Sequence, residues 1–189
     1  EIMNNIKSGG SVVLNMDDNF YKYHKNLALK KKLKVISFGI KNKSAMTKLI
    51  KIKKIKNKYE LLIKINGSSL AIYSQNDNQN HLYNILATLA VVNLFADIKK
   101  LNKDFFLNFK TPIGRGDISK VKLKNKEIFL VDESYNSNPL SLKTAIENYD
   151  KIKLKDSKKY LILGDMLELG KHSIKQHKLI SKILNKTKI

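Results

Sequence analysis

The spacing of apolar residues along this chain switches repeatedly between the period of a strand and that of a helix, and each switch marks an element. Residues 11–15 form a short apolar run that ends in Met16-Asp17-Asp18. Residues 20–31 then place Phe20, Tyr23 and Leu27 at helical spacing, and Val35-Ile36-Ser37-Phe38 returns to a strand, so the order is β-α-β. From 47 to 74 the pattern alternates, through Leu49, Ile50, Ile52 and Ile55 and then Leu61, Ile63 and Ile65. Asn66-Gly67 supplies a hairpin turn, because both residue types accept the positive φ of a tight primed turn.

A long helix is predicted over 78–97, with Leu82, Ile85, Leu86, Leu89, Val92 and Phe95 on one broad apolar face, and a shorter one over 103–109. Two glycines and a proline in 111–116 break both helix and strand, which makes that segment the linker between a unit 1–110 and a unit 111–189. The pattern then restarts: strands at 118–123 and 127–131, a helix at 139–149, a strand at 160–163 and a helix at 173–184. No repeat or low-complexity tract interrupts it.

Composition narrows the function classes. At 189 residues and 42% hydrophobic content the chain is of ordinary globular type. It has no cysteine, which excludes disulfides, thiolate metal sites and a cysteine nucleophile. The longest nearly apolar stretch, 85–96, is broken by Thr88 and Asn93 and is much shorter than the roughly 20 residues of a membrane span. No secretory signal opens the chain, and its first residue is Glu1 rather than Met, from which the natural start is expected upstream. The formal charge of +21 raises the question of nucleic acid. Yet Arg115 is the only arginine and the lysines are dispersed, whereas base and phosphate readers favour the planar fork of arginine. A solvated lysine-rich surface is the better account.

Chemistry is concentrated at a few places. Asn15-Met16-Asp17-Asp18 stands at a strand end, where carboxylates can hold a magnesium ion through water or an adjacent ribose, or where Asp18 or Asn19 simply caps the next helix. Asn84 lies on the long helix, and its amide can pair with an adenine edge or simply face solvent. Arg115, between Gly114 and Gly116, is either a rigid anion fork on a loop that lets a ligand approach closely, or a partner of Asp117. Two polar loops follow strand-like runs: Asp132-Glu133-Ser134-Tyr135-Asn136-Ser137-Asn138-Pro139, and Gly164-Asp165-Met166-Leu167-Glu168-Leu169-Gly170. Each reads as a parallel strand opening into a helix, which is where α/β folds gather ligand groups. Asp132 and Glu133 are candidates for ribose hydroxyls. Tyr135, Asn136 and Asn138 could pack on or bond a nucleotide, although Asn138 before Pro139 also makes a helix entry. Gly164 to Lys171 imitates a phosphate loop but has five intervening residues and is followed by His172 rather than Ser or Thr, so it is rejected. The histidines, His24, His81, His172 and His177, lack zinc-ligand spacing, and no protein-only metal site is expected.

The wording of the two loops, with Ser173 and His177 downstream, closely resembles the C-terminal domain of the D-alanyl-D-alanine-adding branch of the ATP-dependent Mur ligases, a family of peptidoglycan synthesis. The likeness runs through the whole chain and is strongest over 112–177. Asn15-Met16-Asp17-Asp18 is similar to the family's Asn-x-Asp-Asp, and Asn84 matches the last asparagine of a helix start of the form Gly-x-His-x-x-x-Asn. The chain departs from the pattern at Asn78, Asn80, Glu133 and Ser137, where glycine, histidine, aspartate and alanine are usual. The resemblance implies an α/β fold: the later part of a P-loop-type central ATPase domain over 1–110, then a Rossmann-like C-terminal domain over 111–189, both incomplete. It implies that Arg115 is catalytic, that ATP meets Asn84, Arg115, Asp132, Glu133, Tyr135, Asn136 and Asn138, and that Asn15 and Asp17 lie near the active cleft. Asp165, Glu168 and His177 fall on the substrate side. ATP and Mg2+ are the implied cofactors, with their main phosphate and metal ligands upstream of Glu1, so the chain alone is not expected to work as a ligase. The implied substrates are UDP-N-acetylmuramoyl-tripeptide and D-alanyl-D-alanine, joined through an acyl phosphate by a monomeric cytoplasmic enzyme. The alternatives are another Mur-type or folylpolyglutamate-type ligase and, from a different class, a basic nucleic-acid-binding module.

Overall fold

The protein is described from a computed structural model that covers residues 2–109, 113–124, 126–153 and 158–189. It divides into two compact units, Glu1–Phe109 and Lys110–Ile189.

In the first unit β1 (Ser11–Asn15), α1 (Tyr21–Lys30) and β2 (Lys34–Gly39) form the expected β-α-β unit, and β3 (Thr47–Ile55), β4 (Lys58–Ile65) and β5 (Ser68–Ser74) complete a sheet of order β1-β2-β3-β4-β5. The β1-β2 and β2-β3 pairs are parallel, with Val13 beside Ile36, and the β3-β4 and β4-β5 pairs are antiparallel. Asn66 and Gly67 both adopt positive φ, 45° and 91°, the geometry that lets a two-residue hairpin follow the strand twist. The helix α2 (Gln79–Val92) covers one face of the sheet. Its Leu82, Ile85, Leu86 and Leu89 pack with Leu61, Ile63, Ile65 and Ile72 in the main core. On the other face, Ala28 of α1 and Leu33 in the connection to β2 seal the sheet, with Val12, Leu14 and Val35 packed against them.

Three sequence expectations fail in this unit, each for a local reason. A β-bulge between Leu49 and Lys51 breaks the β3-β4 register. It leaves Ile50 unpaired and 44% exposed, and shifts the alternation by one residue, so that Lys51 stands opposite the exposed Leu62 and Ile52 opposite the buried Leu61. The long helix stops at Val92 instead of Asp97. Asp97 accepts from Lys99 N at 3.0 Å and so starts a short 3-10 turn, Ile98–Lys100. Ile98 enters the core while Phe95 is 85% exposed. Residues 103–109 form turns rather than a helix, because their carbonyls are used sideways: Lys103 O accepts from Tyr73 N at 2.8 Å and Leu107 O from the Gln75 side chain. Phe106 still reaches the core.

In the second unit β6 (Asp117–Leu123) and β7 (Lys126–Asp132) form an antiparallel hairpin, with Asp117 opposite Asp132. The helices α3 (Pro139–Lys151) and α4 (Ser173–Leu184) close on a small core of Ile146, Met166 and Ile180. Asn138 caps α3, its side chain accepting from Leu140 N and Ser141 N, while Asn138 N donates to Ser141 Oγ. At the other end Lys159 Nζ donates to the carbonyls of Tyr149 and Asp150, placing a cation on the negative pole of the helix. Two corrections apply. The run ending at Val131 pairs antiparallel, not parallel. The strand expected at 160–163 is absent. Leu161 packs inward and Ile162 is 95% exposed, so the strand-like alternation survives. However, no described strand lies alongside to complete a ladder, and a strand without a hydrogen-bonding neighbour is only an extended segment.

Candidate active site

At the carboxyl end of β1 the chain turns, and Asn15 stabilises the turn by accepting from Asp17 N at 3.0 Å. The Asp17 carboxylate is thereby aimed at the segment that leaves β2. Its Oδ2 accepts from Ile40 N at 2.6 Å and Lys41 N at 2.9 Å, and its Oδ1 accepts from Asn42 N at 2.7 Å. The Tyr83 hydroxyl on α2 donates a further bond to Oδ2 at 3.0 Å. Gly39 makes room for this, since a Cβ there would stand 3.2 Å from both carboxylate oxygens. Partial burial alone would raise the Asp17 pKa, but the three backbone donors and the tyrosine together hold it below its ordinary value. Asp17 is thus a clamp joining β1, the segment after β2, and α2. Its lone pairs are directed at protein donors, and the adjacent Asp18 merely caps its own turn through Phe20 N at 2.7 Å.

Tyr83 was not legible as a site residue, because nothing in Asn80-His81-Leu82-Tyr83-Asn84 indicates a bond to a residue 66 positions away. Asn84, one residue on, is exposed on α2 with its amide open to solvent. His81 on the same helix has a buried Nε2 with no hydrogen-bond partner, and burial lowers its pKa.

In the second unit the Gly114-Arg115-Gly116 segment runs beside the loop after β7. Gly116 N donates to Asp132 O at 2.7 Å and Tyr135 N to Gly114 O at 3.1 Å. Both glycines have positive φ, and an added Cβ would come within 3.0 Å of Tyr135 N at Gly114 and 2.9 Å of Glu133 Oε1 at Gly116. The approach is therefore one that only glycine permits. Arg115 is exposed, with its guanidinium carbon 4.4 Å from the Tyr135 ring centroid. Asp132 Oδ1 accepts from Ser134 N at 2.9 Å, and the Ser134 hydroxyl and N–H lower the Asp132 pKa. Asn136 Oδ1 accepts from Ser137 N at 2.8 Å, and Asn138 is occupied by the helix cap. The loop thus brings Arg115, Asp132, Glu133 and Tyr135 together and assigns Asn138 a structural task.

The second loop has its own anchor. Met166 N donates to His177 Nε2 at 3.2 Å, while His177 Nδ1 lies 2.9 Å from Ser173 O. A neutral ring with its proton on Nδ1 satisfies both contacts. Ser173 Oγ, 3.3 Å from the same Nδ1, therefore finds no base there despite the serine-histidine pairing. With the Met166 side chain in the core, the loop holds Asp165 outward, 90% exposed and 3.7 Å from His177 Nε2. Glu168, exposed at φ 61°, faces solvent as well. His177 thus braces the loop that carries the two carboxylates. Among the described residues no three His, Asp or Glu side chains gather into a cation cage, and no helix is long and apolar enough to cross a membrane.

Comparison with known proteins agrees with this architecture. Residues 1–92 match the Mur ligase middle domain. The whole chain is 27% identical, over 202 aligned residues, to the UDP-N-acetylmuramoyl-tripeptide--D-alanyl-D-alanine ligase of Buchnera aphidicola subsp. Baizongia pistaciae, covering 39% of that protein. Among solved structures, MurF from Acinetobacter baumannii is similar over 100% of this chain and 39% of its own, with a TM-score of 0.76 and 17% identity. The MurF ligase from Thermotoga maritima, solved in complex with ADP, is similar over 96% of this chain and 39% of its own, at a TM-score of 0.69 and 22% identity. The chain therefore spans about two fifths of the length of these relatives. The first unit thus matches the Mur ligase middle domain over residues 1–92, and the chain along its full length is similar to ligases of that family.

Proposed function

We propose that this chain is part of an ATP-dependent ligase that joins D-alanyl-D-alanine to UDP-N-acetylmuramoyl-tripeptide in the cytoplasm. The observation that carries this reading is the match of the whole chain to a curated ligase of that specificity. In such a reaction ATP phosphorylates the terminal carboxylate of the tripeptide, the dipeptide amine attacks the acyl phosphate, and phosphate leaves. Mg2+ supplies charge neutralisation to the phosphates.

Each unit offers its own groups for this chemistry. The exposed amide of Asn84 suits an adenine edge. The in-plane N–H fork of Arg115 suits phosphate oxygens. Asp132 and Glu133 can accept from ribose hydroxyls, and Asn136 retains an amide donor. Asp165 and Glu168 present carboxylates to an ammonium group, while His177 fixes their loop and Asp17 fixes α2. No phosphate-loop motif occurs in the sequence, so the 189-residue chain alone is expected to hydrolyse no ATP.

In the complete ligase, Arg115→Lys keeps the charge but removes the fork. Transition-state stabilisation should fall by about 1–3 kcal/mol, the range of a charge-assisted hydrogen bond. Asp165→Asn should raise the KM for D-alanyl-D-alanine and leave that for ATP nearly unchanged. Unchanged turnover in the first variant, or equal effects on both substrates in the second, would refute the corresponding assignment.

A further inference from the structure

We propose that Tyr135 is a positioning residue, whose ring is the platform on which the guanidinium of Arg115 is held for an anionic ligand, and not a surface for a nucleotide base. The proposal rests on the reading of Arg115 as a phosphate contact.

The Arg115 guanidinium carbon lies 4.4 Å from the ring centroid. The two backbones are fixed side by side by Tyr135 N to Gly114 O and Gly116 N to Asp132 O. Gly114 allows them to approach until a Cβ would touch the Tyr135 backbone. The rest of the loop is pinned by Asp132, Asn136 and the Asn138 cap, so the ring has a definite place. That place is not in the core: Tyr135 is 65% exposed and belongs to none of the hydrophobic clusters. Burial therefore gives no reason for an aromatic residue here, whereas the guanidinium does.

A cation–π contact uses the face of the guanidinium and the face of the ring, leaving the in-plane N–H groups free to bond an anion. Stacking also restricts a long side chain before the ligand arrives, so less rotamer freedom is lost when the fork engages. The ring face that carries Arg115 cannot simultaneously carry a base. The Tyr135 hydroxyl makes no hydrogen bond to a described residue, so phenylalanine should serve equally well.

The test uses Tyr135→Phe and Tyr135→Leu. Arg115 is the only arginine of the 189-residue chain, so one Nε–H NMR signal reports on it, displaced by the ring current if the stack is real. The displacement should persist in Tyr135→Phe and vanish in Tyr135→Leu. In the complete ligase, Tyr135→Leu should lower kcat by about 3- to 10-fold, the rate equivalent of a cation–π contact, with the KM for ATP and the melting temperature unchanged. Tyr135→Phe should restore the rate. An Arg115 signal identical in wild type and Tyr135→Leu would overturn the stack itself. A raised KM for ATP with intact kcat would assign the ring to the base, and a Phe variant as slow as Leu would assign the role to the hydroxyl; either overturns the proposal. If the signal shows the stack but Arg115→Lys turns over normally, the phosphate reading fails and the platform has no catalytic purpose, a result distinct from loss of the stack.

Discussion

Replacing Asp17 with alanine should cost the first unit far more stability than its position in a surface turn suggests. The carboxylate accepts from Ile40 N, Lys41 N, Asn42 N and the Tyr83 hydroxyl. Hydrogen bonds to a charged group contribute about 1.5–3 kcal/mol each, but donors that water can reach recover much of that. Lys41 is exposed and recovers most, while Ile40, Asn42 and Tyr83 are half-buried. The expected loss for Asp17→Ala is therefore about 2–4 kcal/mol. Tyr83→Phe, which removes one donor and keeps the ring against Phe38, should cost about 1 kcal/mol. The double variant should cost less than the sum, because both remove the same bond. Asp18→Ala is the control, since Asp18 caps only its own turn. A urea titration followed through the amide NMR signals of β4 and α2 reads this unit by itself. The midpoint of Asp17→Ala should fall by at least about 0.7 M. The pH dependence has a definite sign. The folded-state pKa of Asp17 lies below its ordinary value of 3.8, so its contribution is complete above 3.8 and is lost as pH falls through the lower, folded value. The gap between wild type and Asp17→Asn should close in that acid range only. A cost below about 0.5 kcal/mol for Asp17→Ala, the level of an ordinary surface change, would refute the clamp.

His81 gives a second pH signature at a different place. Burial depresses its folded-state pKa below 6.5, so unfolding takes up a proton and stability should decline as pH falls below about 6.5; His81→Leu should flatten that slope in the same titration. Gly114→Ala adds a Cβ against the Tyr135 backbone at a residue with φ 80°. It should destabilise the second unit by about 1–3 kcal/mol, measured by thermal unfolding, and an unchanged melting temperature would show that the two segments separate freely.

Local chemistry alone determined much of this protein. Leu82, Ile85, Leu86 and Leu89 recur at helical spacing and Leu61, Ile63 and Ile65 at strand spacing, so helix and strand were legible from what one face must bury. Asn66-Gly67 and Asn138-Pro139 encode a turn and a cap in a few adjacent atoms. The Gly-Arg-Gly loop and the two polar loops announced themselves by residue types whose backbone freedom or donor sets are rare elsewhere. The tertiary structure decided whatever needed a distant partner. The bulge at Leu49 and Lys51 depends on how β4 aligns, and residues 103–109 lost their helix because Tyr73 and Gln75 take their carbonyls. The segment 160–163 keeps its alternation but has no described strand beside it to bond. Asp17 became a clamp only when folding brought Tyr83 and the amides of 40–42 to it. Tyr135 gained its relation to Arg115 only when two glycines let their backbones touch. Periodicity and turn chemistry act over neighbouring residues and are written in order along the chain, whereas hydrogen-bond satisfaction is settled by whichever groups the fold brings within reach.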